Sequence, residues 1–163
     1  MVTDTPLEAE LRELAGSVPD PELPVVTLSE LGVLRDLHVL GPGRVEVELT
    51  PTYSGCPAIE AMSSDIERVL HDHGIPEVEV RTVLSPPWTT DAISAEGRRK
   101  LAEFGVAPPR PTPSGPVALR LAIRCPHCGS TDTTLLSRFS STACKALRRC
   151  ESCREPFDHF KEL

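Results

Sequence analysis

Aromatic residues are scarce in this 163-residue chain: one Trp, one Tyr and four Phe, 4% of the total. Its core must therefore be built mainly from Val, Leu, Ile and Ala. The chain also lacks any run of about 18 apolar residues, which excludes a membrane-spanning helix. Its opening stretch, MVTDTPLEAELRELAG, has neither a basic segment nor an apolar one. A signal peptide is therefore not expected, and a cytoplasmic protein is. Cysteine is missing from the first three quarters except for Cys56, and the other five lie beyond residue 124. In a reducing compartment such cysteines are expected to be metal ligands or reactive thiols, not disulfides.

Charge is unevenly distributed. Residues 1–104 carry 8 Lys/Arg against 19 Asp/Glu, and residues 105–163 carry 9 against 5, for a total of −7. Between these regions GVAPPRPTPSGPV (105–117) holds five Pro and two Gly, which predicts a semi-rigid extended linker. Three parts follow: an α/β domain over 1–104, a linker over 105–117, and a small module over 118–163.

In the first part, Thr5, Pro6 and Glu8 predict a capped start for a short helix over Glu8 to Leu14, with Leu7, Leu11 and Leu14 as its apolar positions. VLRDLHVL (33–40) and RVEVELT (44–50) read as two strands around a three-residue turn, Gly41-Pro42-Gly43. Ala58, Ile59, Met62, Ile66, Val69 and Leu70 recur at helical spacing, so a helix is expected from Ala58 to His71. VEVRTVL (78–84) predicts a third strand, and Ile93 to Phe104 a helix closing the domain. The order α-β-β-α-β-α predicts an α+β fold, a small sheet with helices packed on it.

The strongest motif lies in the last part. Cys125-Pro126-His127-Cys128 and Cys150-Glu151-Ser152-Cys153 are two CxxC knuckles separated by 21 residues. Each short loop lets both of its sulfurs reach one ion, and four thiolates complete a tetrahedral set. Zinc in a structural role is expected, with iron the rubredoxin-like alternative. The module reads as a zinc ribbon whose metal supplies folding energy that so small a core lacks. Cys144 stands outside the pairs. A small buried apolar role is favoured for it over that of an additional ligand. Lys145, Arg148, Arg149 and Arg154, with Phe139, Phe157 and Phe160, raise the reading of a single-strand nucleic-acid binder. The net charge of −7 favours instead a basic face that docks a partner.

Cys56 sits in PTYSGCPAIEAM (51–62). Pro57 suits a first helical position, which predicts Cys56 as the N-cap, its thiolate favoured by the helix dipole. Gly55 is expected to expose the sulfur by removing bulk. A hydrolytic thiol needs a base. His71 and His73 lie about 22 Å away along the same helix, which leaves only His38 in this domain. Soft-metal chemistry is the better functional reading, set against simple packing at a helix start. A single thiol cannot hold a cluster alone, so a second copy of the chain or a partner's ligands would complete the site. Asp20-Pro21-Glu22 places two carboxylates around a Pro, suited to metal ligation, to helix capping or to a solvated turn.

Taken together, DPELPVVTLSELGVLRDL, LTPTYSGCPA, LSPPWTTDAISAEGRRKLAEFGVAPP and the two-knuckle segment through CESCREPFDHFK resemble the PaaD family over nearly the whole chain. That family belongs to the bacterial phenylacetyl-CoA epoxidase systems. The first domain resembles the iron–sulfur assembly domain of SufT-like maturation factors. The resemblance implies an accessory role, not catalysis, beside a di-iron monooxygenase and its iron–sulfur flavoprotein reductase. It further implies that Cys56 is the functional thiol and transient iron or cluster ligand, and that Asp20 and Glu22 belong to the DPE motif. Cys125, Cys128, Cys150 and Cys153 match the ribbon ligands. The rival readings are a structural component of the oxygenase complex and, third, a ribbon that binds nucleic acid. A thiol enzyme ranks last.

Overall fold

The computed structural model describes residues 5–110 and 122–162, so most of the expected linker lies outside the described residues. The chain divides into two compact units, one ending at Trp88 and the other beginning at Thr89.

The first unit opens with helix α1 (Pro6–Gly16). Thr5 Oγ1 accepts the Glu8 N–H at 3.2 Å, and Glu8 Oε2 accepts the Thr5 N–H at 2.8 Å. Two of the helix's orphan donors are thus satisfied reciprocally. α1 buries Leu11 and Ala15, whereas Leu7 is exposed. A Cβ on Gly16 would lie 2.9 Å from Ser29 Cβ, so this glycine permits the close approach of α2 (Leu28–Leu31). α2 is a single capped turn held by a second reciprocal pair, Thr27 with Glu30.

Strands β1 (Leu34–Gly41) and β2 (Arg44–Leu49) are antiparallel. Gly41 pairs with Arg44, so the turn is the two residues Pro42 and Gly43 and not the expected three. Gly43 has φ +70°, and a Cβ there would meet Pro76 at 2.9 Å. β2 is central in a three-stranded sheet, with β3 (Glu77–Thr82) running parallel to it. A parallel neighbour needs a crossover, and helix α3 (Ala58–Asp72) supplies it. Alternation along β2 sends Val45, Val47 and Leu49 into the core. Glu46 and Glu48 take the other face, where both pair with Arg81. α3 buries Ala58, Met62, Ile66 and Leu70. The single Trp88 is buried and donates its indole N–H to the Leu31 carbonyl at 3.0 Å, which satisfies its one polar atom.

In the second unit a 3-10 turn (Thr90–Ala92) precedes helix α4 (Ala95–Glu103), capped by Ser94. The division of the chain therefore differs from the expected one, which ended the first domain at residue 104. The reason is local. α4 runs directly into strand β4 (Val106–Ala107), and β4 pairs in parallel with β7 (Pro156–Phe160). Arg98 also bonds the Thr90 and Pro109 carbonyls. Part of the Pro-rich segment is thus an edge strand of this unit and not linker. β5 (Thr133–Ser137) and β6 (Lys145–Cys150) complete a sheet of order β4-β7-β6-β5. Its small core joins Ala107, Ile123 and Phe157 to Cys125 and Cys150.

Candidate metal centre and thiol site

Each knuckle is built by the same backbone device. After the first, Gly129 adopts φ +77°. After the second, Arg154 takes the left-handed φ +68° that a non-glycine rarely adopts. The returning chain closes each loop: Cys125 N–H donates to the Ser130 carbonyl at 2.9 Å and Cys150 N–H to that of Glu155 at 3.0 Å. Ser130 Oγ and Ser152 Oγ lie 2.8 Å apart and bridge the two loops.

The four Sγ atoms of Cys125, Cys128, Cys150 and Cys153 all lie within 4.8 Å of one another. Cys125 and Cys153 are 3.7 Å apart, Cys128 and Cys150 3.5 Å. Zinc–sulfur bonds of about 2.3 Å in a tetrahedron would space the sulfurs about 3.8 Å apart, so these residues fit a zinc ion. The thiols differ in acidity. Cys150 is lowered to about 6, first by the Cys153 N–H directed at it. Cys153 is pushed up to about 12: the Glu155 N–H opposes this, but burial and the neighbouring Cys150, Cys128 and Cys125 sulfurs prevail. Four adjacent sulfurs need a cation at their centre before all can ionise. Among the described residues this is the one group of three or more metal-ligating side chains.

Cys144 is not part of that group. It is buried, with its sulfur 3.1 Å from Thr142 Oγ1. The expected basic face is also reduced. Lys145 is buried and paired with Asp158 at 3.2 Å, and Arg149 is paired with Glu151 at 3.0 Å. Phe157 and Phe160 belong to the interior, which leaves Phe139 as the exposed ring of the three. That removes most of the stacking platform a nucleic-acid binder needs.

Cys56 lies on the loop between β2 and α3. The N-cap of α3 is Pro57, not Cys56, so the thiol sits one residue outside the expected position. Its acidity moves the opposite way to the expectation. Burial raises the Cys56 pKa most, and the Glu22 and Asp20 carboxylates add to it. The Ala58 N–H and the Tyr53 hydroxyl favour the thiolate but do not prevail. The physical reason is that a half-buried sulfur beside two carboxylates costs more to ionise than one N–H and one hydroxyl repay. Gly55 has φ +78°, a conformation that favours glycine, and a Cβ there would meet nothing within 4 Å beyond its chain neighbours.

The DPE segment is brought to Cys56 by its own turn. Asp20 is only 4% exposed, and its Oδ1 accepts the Glu22 N–H at 2.9 Å and the Leu23 N–H at 2.7 Å. Its carboxylate therefore builds the turn. Glu22 is half-buried. No histidine acts on Cys56 among the described residues. His38 approaches Asp36 at 3.5 Å, His71 bonds the Ile75 carbonyl and His73 approaches Glu10. Among the described residues the thiol-enzyme reading thus has no histidine base at Cys56. Tyr53 was not foreseen as part of this site; as the lone tyrosine, three residues before the thiol, it was open to notice.

With this geometry in place, the comparisons are specific. Residues 8–85 match the model of the iron–sulfur cluster assembly protein family, and residues 109–161 match the PaaD zinc beta ribbon domain. A relative from Escherichia coli K12, named as a subunit of 1,2-phenylacetyl-CoA epoxidase, is 47% identical over 152 residues, covering 93% of this chain and 91% of its own. The chain belongs to the PaaD family. Membership in that family joins both sites in one chain. The Bacillus subtilis Fe-S protein maturation auxiliary factor YitW is 36% identical over 80 residues, 47% of this chain and 76% of that factor. The crystal structure of a domain of unknown function (DUF59) from Bacillus anthracis superposes with a TM-score of 0.54 at 30% identity, covering 58% of this chain and 90% of that one. An α+β assembly fold followed by a zinc ribbon is therefore the architecture of this PaaD family member.

Proposed function

We propose that the chain is an accessory maturation factor for a metal centre in a multicomponent epoxidase system of phenylacetate breakdown, with no turnover of its own. The observation that carries this reading is the setting of Cys56, a half-buried thiol on which two carboxylates act and, among the described residues, no histidine does. Such a sulfur keeps its proton in the absence of a metal. An arriving iron ion or cluster reverses the balance, because carboxylates that disfavour a bare thiolate attract a cation. Asp20 holds the loop and Glu22 supplies charge. Iron or an iron–sulfur cluster is the cargo, and a second copy or the client supplies the remaining ligands. The client is the iron–sulfur reductase of the system, and the zinc ribbon, a closed structural site, serves docking. The similarity of the first unit to iron–sulfur maturation factors supports the cargo, and the Escherichia coli relative supports the setting.

Co-expression of the reductase with wild type or Cys56→Ser tests this. Lower iron and acid-labile sulfide in the reductase made with the variant is the expected result, and equal loading would sink the proposal. The naming of that relative as an epoxidase subunit favours a second reading, a structural component of the oxygenase complex. Stoichiometric co-purification with the oxygenase, insensitive to Cys56→Ser, would select it.

A further inference from the structure

A cavity of about 390 Å³ opens on the second unit, its lining includes none of the four ribbon cysteines, and that lining is strongly one-sided in charge. Among the described residues, Arg110, Arg138, Arg148 and Lys161 line it against a single carboxylate, Glu162. Glu162 Oε1 is engaged by Arg110, whose Nε lies 2.7 Å away. Two of the other cations are held by neutral groups. Arg148 Nη2 donates to the Thr133 carbonyl at 3.3 Å, and Lys161 Nζ donates to the Arg138 carbonyl at 3.0 Å. Two buried nitrogens in the same lining, Arg148 Nε and His159 Nε2, have no hydrogen-bond partner among the described residues. His159 is 4% exposed, and its only nearby acid among the described residues is Glu162 at 3.8 Å, beyond hydrogen-bond reach. Burial lowers the His159 pKa to about 4, and Arg148, Arg110 and Lys161 contribute to that, so the ring is neutral near pH 7.

Buried polar atoms are almost always satisfied, and two orphans in one small lining, Arg148 Nε–H and His159 Nε2 as a donor in its Nε2–H tautomer, are a costly arrangement that calls for a ligand. The missing partner must accept hydrogen bonds and carry negative charge. We propose that this cavity is a phosphate-binding site, taking inorganic phosphate or the phosphate of a small organic ester. A dianion answers four cations set against one carboxylate better than a carboxylate group would. Arginine forks also suit its several oxygens. Arg148 and His159 are the inner donors, and Arg138 and Lys161 close the rim. Ile123 and Leu135 offer an apolar wall for an ester's stem. The site is independent of Cys56 and does not rest on the maturation reading.

The zinc-loaded full chain, titrated with inorganic phosphate and separately with AMP at constant ionic strength, tests this by NMR. Saturable shifts of the Arg148 Nε–H and the His159 ring are expected at millimolar ligand or below. Arg148→Gln should weaken binding about tenfold, as loss of one charge-assisted bond would. Arg138→Gln, at an exposed position whose loss leaves the fold undisturbed, should weaken it too. AMP binding tighter than phosphate would identify an esterified ligand, and equal binding the free anion. Absence of saturable shifts with either probe, or binding unchanged in both variants, would overturn the proposal.

Discussion

The four sulfurs of the ribbon and the one sulfur of Cys56 face opposite problems. In the ribbon the backbone delivers four thiols to within 4.8 Å of one another before any ion is considered. Two repeated turns and a serine bridge hold them there, so the donor set is closed. Cys56 stands on a loop with no second thiol in its unit, and its neighbours suppress the thiolate. One arrangement suits an ion that stays. The other suits an ion that is passed on, since a single ligand cannot retain it. The chain uses cysteine for permanence in one unit and, on the proposed reading, for transfer in the other.

The contrast can be broken most severely by removing the ribbon's metal. Chelation, or Cys128→Ser, should forfeit on the order of 10 kcal/mol of folding energy in the second unit. Hydrogen exchange should then show lost protection across β5, β6 and β7 while α1 and β1–β3 stay protected. Protection that survives chelation would mean that the ion does not hold the ribbon.

On the other side, Asp20→Ala should destabilise the first unit by about 1–3 kcal/mol in denaturant titration, because it leaves two N–H groups without their acceptor. Glu22→Ala should stay within about 0.5 kcal/mol. Equal effects would show that the two carboxylates do not divide structure from charge. Arg154→Gly should stabilise the zinc-loaded ribbon by about 1 kcal/mol, by relieving a left-handed residue.

The smallest effect concerns acidity. Burial is the main cause of the raised Cys56 pKa, and the Glu22 charge is a lesser one. Glu22→Gln should therefore lower that pKa, place more thiolate at pH 8 and quicken alkylation by iodoacetamide modestly. Unchanged or slower alkylation would remove Glu22 from the site.

The two halves also differ in how far they could be read in advance. The ribbon ligands were legible because CxxC spacing is itself the geometry: four sulfurs on two short loops have few other ways to meet. β2 and α3 were legible from strict alternation and helical recurrence. The one-turn α2 was not, although Thr27 and Glu30 carry the reciprocal cap pattern. Four residues are too few for periodicity to speak. The boundary at Trp88 was hidden because composition changes at the Pro-rich segment, whereas packing changes where α4 joins β4. The acidity of Cys56 was misjudged for a related reason. A helix start visible in sequence argues for a thiolate, but burial and the approach of Glu22 and Asp20 depend on a fold that joins residues more than thirty positions apart.

Anaerobic incubation of the zinc-loaded chain with iron and sulfide, followed by metal analysis of wild type and Cys56→Ser, tests the transfer reading most directly. Wild type should take up iron beyond the single ribbon ion, and Cys56→Ser should retain the ribbon ion alone. Equal iron uptake by the two proteins would contradict it.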